Sequence, residues 1–117
     1  MAERETLERI AENQSRFREA NERIEQTADS MHLVGPVPFV CECPMAGCTE
    51  LVRMTLSEYE SIRANDRRFF VVPGHEEPSV STGAGVVAGE EGDRYRIVDK
   101  VGLAGEIAAD RYRDLAD

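Results

Sequence analysis

The sequence predicts an α+β fold, and three observations carry that reading. A stretch free of Pro and Gly, rich in Arg, Glu, Ala, Leu and Gln, runs from residue 3 to residue 28. Short apolar runs bounded by Pro and Gly follow it, and a capping box lies between two of them. The expected order is a long N-terminal helix, a small antiparallel sheet with one inserted helix, and a C-terminal helix. By composition the chain divides into an amphipathic helical part, residues 1–34, and a small metal-binding α+β part, residues 35–117. Together they are expected to form one compact unit.

In the first helix Ile10, Phe17, Ile24 and Met31 recur every seven residues. Written as heptads these are d positions, and Leu7, Gln14, Asn21 and Ala28 are the a positions. A narrow apolar stripe of this kind packs on the rest of the domain, or serves as a dimer seam or a docking face for a protein partner. Glu12 with Arg16 and Glu19 with Arg23 are opposite charges at i,i+4 in the favourable order. Gly35, Pro36 and Pro38 end the helical zone, because each proline pushes its predecessor to extended geometry.

Residues 39–43, Phe-Val-Cys-Glu-Cys, read as a strand with Phe39, Cys41 and Cys43 on one face and Val40 and Glu42 on the other. Residues 44–47 are turn-like, and 50–54 read as the returning strand, with Glu42 and Glu50 facing solvent. Thr55-Leu56-Ser57-Glu58 is a capping box that starts a helix over 56–64, and Asn65 and Asp66 stop it. Residues 69–72, Phe-Phe-Val-Val, have strand length and close on Pro73-Gly74-His75. Residues 76–85 read as a loop. Strands over 86–88 and 94–101, joined by 89–93, precede a weak helix over 102–116 whose apolar set is Leu103, Ile107 and Leu115.

Composition narrows the function. Fourteen Lys+Arg against 23 Asp+Glu give a net charge of −9, which argues against direct nucleic-acid binding, since phosphate contacts need a basic surplus. Arg63, Arg67 and Arg68 are a local basic cluster, best read as cations at a helix C-terminus. No apolar run reaches the roughly 20 residues of a membrane span. The N-terminal residues carry both charges with no apolar segment, so no export signal is expected and the expected compartment is the cytoplasm.

In such a compartment thiols stay reduced, and Cys41, Cys43 and Cys48 within eight residues read as metal ligands rather than disulfide partners. Strand spacing aims Cys41 and Cys43 at one point, and the turn returns Cys48 to it. His75, beyond the 69–72 strand, is the fourth donor if that strand lies beside the cysteine hairpin. Three Cys and one His form a closed structural zinc site. The same donors can hold an iron–sulfur cluster instead, and His32 is a weaker fourth candidate. No oxyanion hole or orienting third group accompanies the thiols, so no catalytic residue is assigned. The expected role is a zinc-stabilised interaction or regulatory protein acting through protein partners or self-association by its N-terminal helix. A redox- or metal-responsive thiol switch is the alternative, and a small enzyme a more distant one.

The pattern Phe39-Val-Cys-Glu-Cys-x4-Cys48, Leu56-x-x-Tyr59-Glu60-x-x-Arg63, Arg68-Phe69 and Val72-Pro-Gly-His75 resembles a group of short proteins of actinobacterial type. The likeness extends over most of the chain, residues 16–24 of the first helix included. It implies a site of three Cys and one His and carries no assigned activity. The chain lacks the Cys-Asp-Gly-Ser-His run of iron–sulfur proteins with three Cys and one His.

Overall fold

Helix α1 (Ala2–Ser30) is the longest element, and the remaining chain folds against it. The computed structural model describes the backbone of residues 2–45 and 47–116 and the side chains of residues 8–45 and 47–111. The Leu7 and Leu115 side chains and residue Ala46 lie outside that description. After α1 come β1 (Val37–Val40), β2 (Leu51–Met54), α2 (Leu56–Arg63), β3 (Arg68–Val71), α3 (Glu77–Ser81), β4 (Gly85–Glu91), β5 (Tyr95–Lys100) and α4 (Gly102–Ala116). This is the α+β order expected, with the strands divided into two antiparallel sheets, a β1-β2 hairpin and a β3-β5-β4 sheet.

The face that α1 turns inward is not the apolar d stripe. Ile10, Phe17 and Ile24 are half-buried and Met31 is 62% exposed, whereas the a positions Gln14, Asn21 and Ala28, with Ala11 and Arg18, are buried. The reason lies in what they face. Gln14 Nε2 donates to the Glu42 carbonyl at 3.0 Å, and Asn21 Nδ2 to the Val40 carbonyl at 2.9 Å. Asn21 Oδ1 accepts from the Val40 amide at 2.8 Å, so Asn21 acts as an additional strand residue beside β1. Arg18 lies 4.0 Å over the Phe69 ring and donates to the Asp66 and Ala108 carbonyls, tying α1 to β3 and α4. Hydrogen-bonded polar groups cost little to bury, and here their bonds fix the register of the helix. On the outer face the two expected ion pairs form, Glu12 with Arg16 at 3.1 Å and Glu19 with Arg23 at 3.0 Å. Helix α1 ends in a Schellman motif: Leu33 N donates to Ala28 O and His32 N to Asp29 O, both at 3.0 Å. His32 occupies the left-handed position, with φ of 53°, that glycine usually fills. It is exposed and takes no part in the thiol cluster.

Packing centres on aromatic rings. Phe39 stacks on Tyr59 at 4.5 Å with planes 2° apart, and Phe70 meets both rings edge-on at 6.3 and 6.1 Å. Val37, Val52, Met54, Ile62, Tyr95 and Val98 complete this core, which runs on into Cys41 and Cys43. The capping box forms as the sequence predicts: Thr55 Oγ1 accepts from the Glu58 amide and Glu58 Oε1 from the Thr55 amide, each at 3.1 Å. Glu58 also accepts from Arg94 Nη2 at 2.9 Å and from the Tyr95 hydroxyl at 2.8 Å. Burial alone would raise its carboxyl, but Arg94, the Thr55 amide and Tyr95 outweigh that and hold it down at about 2. A depressed carboxyl stabilises the fold above its unfolded value, and that contribution fades as pH falls from about 4.5 towards 2. Acid titration of stability should therefore be shallower in Glu58→Gln than in the native chain over this window; equal slopes would refute the coupling.

Three stretches differ from expectation. The strand expected over 39–43 is β1 at Val37–Val40, and residues 41–43 lie past its end because the Glu42 amide leaves the hairpin for the Phe70 carbonyl. Residues 76–85 are not a loop: α3 folds there because Ser79, buried, accepts from Lys100 Nζ at 2.7 Å and its carbonyl takes the Ala84 amide at 2.9 Å. The β4–β5 connection is also shorter than residues 89–93, since β4 continues to Glu91 and pairs Glu91 with Tyr95. A register shift between Val87 and Gly89 lets it do so.

Candidate metal centre

Backbone geometry brings the four predicted donors together. Antiparallel pairing of β1 with β2 continues one step past β1, where the Cys41 amide donates to the Glu50 carbonyl at 3.0 Å. The next amide, that of Glu42, leaves the hairpin and donates to the Phe70 carbonyl of β3 at 2.9 Å. This bond brings the hairpin to the other sheet, so the end of β3 reaches the thiols. Between Cys43 and Cys48 the chain turns, and Cys48 N donates to the Met45 carbonyl at 3.0 Å. On the other side, His75 N donates to the Val72 carbonyl at 2.9 Å, with Gly74 at φ of 101°. That is a type II turn with Pro and Gly in its two central positions. It swings the imidazole back over the sulfurs, as the Pro73-Gly74 pair suggests.

One ligand atom from each of Cys41, Cys43, Cys48 and His75 lies within 4.8 Å of every other, and the group could hold a metal ion. His75 Nδ1 is 3.5 Å from Cys41 Sγ and 3.6 Å from Cys48 Sγ. The cysteines form no disulfide. Cys41 and Cys43 are buried, while Cys48 and His75 are half-buried.

A backbone amide favours the thiolate form at each sulfur, against the effect of burial. The Val72 amide donates to Cys41 Sγ at 3.3 Å, and the Met45 and Glu50 amides favour the thiolates of Cys43 and Cys48. A hydrogen bond from Cys41 pulls the Cys43 thiol down to about 5, and the same bond, with burial, pushes Cys41 up. Burial pushes Cys48 up. Three thiols in this space thus compete for protons, a conflict that a cation placed among them resolves.

One site expectation is corrected. Glu42 does not face solvent; it is 0% exposed. Both its carboxylate oxygens accept from Arg63 Nη2 at 2.6 Å, and Oε2 also accepts from Asn21 Nδ2 at 2.9 Å. Arg63 is therefore not part of a free basic cluster. Burial opposes its charge, but the Glu42 carboxylate and Tyr59 hold it above its ordinary value. Arg68 is likewise engaged, donating to both carboxylate oxygens of Asp99 at 2.7 and 2.9 Å. Glu50 is exposed as expected. The missed signal was present in the polar a positions of α1, which require buried partners once that face is covered.

Among the described residues no helix is long and apolar enough to cross a membrane. No protein-family model, curated protein or solved structure matches the chain, so the four-donor group stands on its geometry alone.

Proposed function

We propose that the chain binds one zinc ion through Cys41, Cys43, Cys48 and His75, and that the resulting module works as an interaction or regulatory protein in a reducing, cytoplasmic setting. The observation that carries the metal reading is the spacing of the donors. Zinc bonds of about 2.3 Å to sulfur and 2.0–2.1 Å to nitrogen, arranged as a tetrahedron, separate a sulfur from a nitrogen donor by about 3.6 Å. The Cys41 and Cys48 sulfurs lie 3.5 and 3.6 Å from His75 Nδ1. A two-iron cluster spreads its terminal ligands over two metals and bridging sulfides, whereas all four donors here lie within 4.8 Å, a fit to one ion. Three thiolates and an imidazole fill the shell, the pattern of a structural site. Bound there, the ion supplies a cross-link between the β1-β2 hairpin and the end of β3.

For the partner contact, support comes from the end of α1. Met31, Leu33 and Val34 are 62%, 45% and 98% exposed, an apolar group next to a helix whose a face is occupied. A protein partner, or a second copy of this chain, fits such a surface better than a polyanion fits a chain of net charge −9. The same reading extends to the short actinobacterial-type proteins that share the Cys and His pattern.

Elemental analysis of untagged protein tests the metal reading directly. The expected result is a colourless protein with close to one equivalent of zinc and no iron. Iron with visible absorbance, or no metal after purification under reducing conditions, overturns it.

A further inference from the structure

The four donors are not equally sheltered. Cys41 and Cys43 are 1% and 0% exposed, but Cys48 is half-buried and, with His75, forms the wall of an open groove of about 710 Å3. Glu50 and Glu77 also line this groove, Met45 and Pro78 supply apolar surface, and among the described residues no Lys or Arg contributes to it. A reactant from solvent therefore meets one sulfur of the three, across a surface that carries negative charge only.

We propose that Cys48 is an oxidation site for a small neutral peroxide, and that its oxidation expels the metal; the proposal rests on the zinc reading above. The Cys48 sulfur forms a bond to one oxygen of hydrogen peroxide as the O–O bond breaks. The departing hydroxide takes a solvent proton, and Cys48 is left as a sulfenic acid. The Cys43 sulfur then attacks the Cys48 sulfur, the S–O bond breaks, and a second hydroxide leaves as water after protonation. Two thiolates lose one electron each, and the peroxide and two protons become two waters. Cys43 is the resolving thiol because only the four residues 44–47 separate it from Cys48, a turn whose Met45 is 57% exposed. Cys41 is held instead by the Val72 amide against the end of β3. The metal keeps Cys41 and His75, two donors of four, and leaves.

Groove charge selects the oxidant. Peroxide is neutral and enters freely, while an anionic disulfide such as oxidised glutathione is repelled by Glu50 and Glu77.

The test uses the full chain loaded with zinc, treated with less than one equivalent of hydrogen peroxide. A sulfenic-acid trap, alkylation and peptide mass mapping are read beside zinc release. Trapped sulfenic acid is expected at Cys48, followed by a Cys43-to-Cys48 disulfide that appears with the released zinc, Cys41 remaining alkylatable. First modification at Cys41 or Cys43, or zinc release with Cys48 intact, overturns the proposal. In the exposed double variant Glu50→Lys, Glu77→Lys, the rate with oxidised glutathione should rise about tenfold at low salt and lose that gain near 1 M salt, with the peroxide rate unchanged. An unchanged glutathione rate removes the charge selection. Metal content before oxidant is measured separately, so a protein without zinc refutes the zinc reading while the order of cysteine modification is still read on the thiols.

Discussion

Stripping zinc with a strong chelator is expected to lower the melting temperature by about 10–20 °C, and His75→Ala should lose nearly as much while still binding zinc. Structural zinc in small peptides contributes about 10 kcal/mol or more of apparent binding free energy. Only part of that becomes folding energy here. Cys41, Cys43 and Cys48 lie within eight residues, so the unfolded chain still offers three thiolates, and metal held by the unfolded state does not stabilise the folded one. The folding contribution is the difference, supplied by His75 and by sulfurs already placed within the 4.8 Å group. A figure of about 3–5 kcal/mol is reasonable for one added ligand and preorganisation, and at about 4 °C per kcal/mol for a chain of this size it gives the range stated. His75→Ala removes the link to β3 but leaves the three local thiolates, so stability and metal content separate. Cys43→Ser removes a buried thiolate and lowers both. Calorimetry with parallel metal analysis on the three samples checks this. Full stability of Cys43→Ser with unchanged metal content would refute the site.

The legible parts of the molecule are those fixed by short-range chemistry. Thr55 and Glu58 are three residues apart, so their reciprocal bonds depend on the local chain alone. Pro73 and Gly74 dictate a turn with positive φ at Gly74. Cys41 and Cys43 come together as the sequence predicts, although both lie past the end of β1 rather than within a strand. The four-donor group follows once two segments meet, and apart from His32 the sequence contains no other Cys or His. What was not legible depends on partners far along the chain. Asn21 is buried because Val40 and Glu42 face it, and nothing near residue 21 announces a carboxylate 21 residues on. Periodicity misleads for the same reason. A heptad analysis weighs hydrophobicity, and α1 covers its a face with Gln14, Arg18 and Asn21 because the opposing surface is made of carbonyls, a carboxylate and an aromatic ring. The short helix α3 depends on a lysine 21 residues beyond Ser79.

Glu42→Ala is expected to cost about 3–5 kcal/mol, as much as any single change outside the thiol cluster, and to leave zinc content near one equivalent. The loss comes from what remains. Arg63 keeps its guanidinium with a side chain 5% exposed, and Asn21 loses one acceptor, so the truncation strands a buried charge. Glu22, 3.8 Å from Arg63 Nε and 27% exposed, is too distant to replace a contact of 2.6 Å. The hairpin itself stays in place, because Glu42 is anchored there by its backbone: its amide donates to Phe70 and its carbonyl accepts from Gln14. Both bonds survive in the alanine variant, which is why metal content should hold while stability falls. Replacing the pair together, Glu42→Met with Arg63→Met, removes both charges and should recover most of the loss, since a buried ion pair offsets little more than its own desolvation. As a control, Glu12→Ala breaks an exposed pair and should cost about 0.5 kcal/mol or less. Salt separates the two cases further: about 1 M salt should abolish the small Glu12 effect and barely change the Glu42 effect, because the buried pair is out of reach of screening ions. A Glu42→Ala variant as stable as the native chain would show that Arg63 finds solvent, and that the link between α1, α2 and the cysteine hairpin is not maintained in solution.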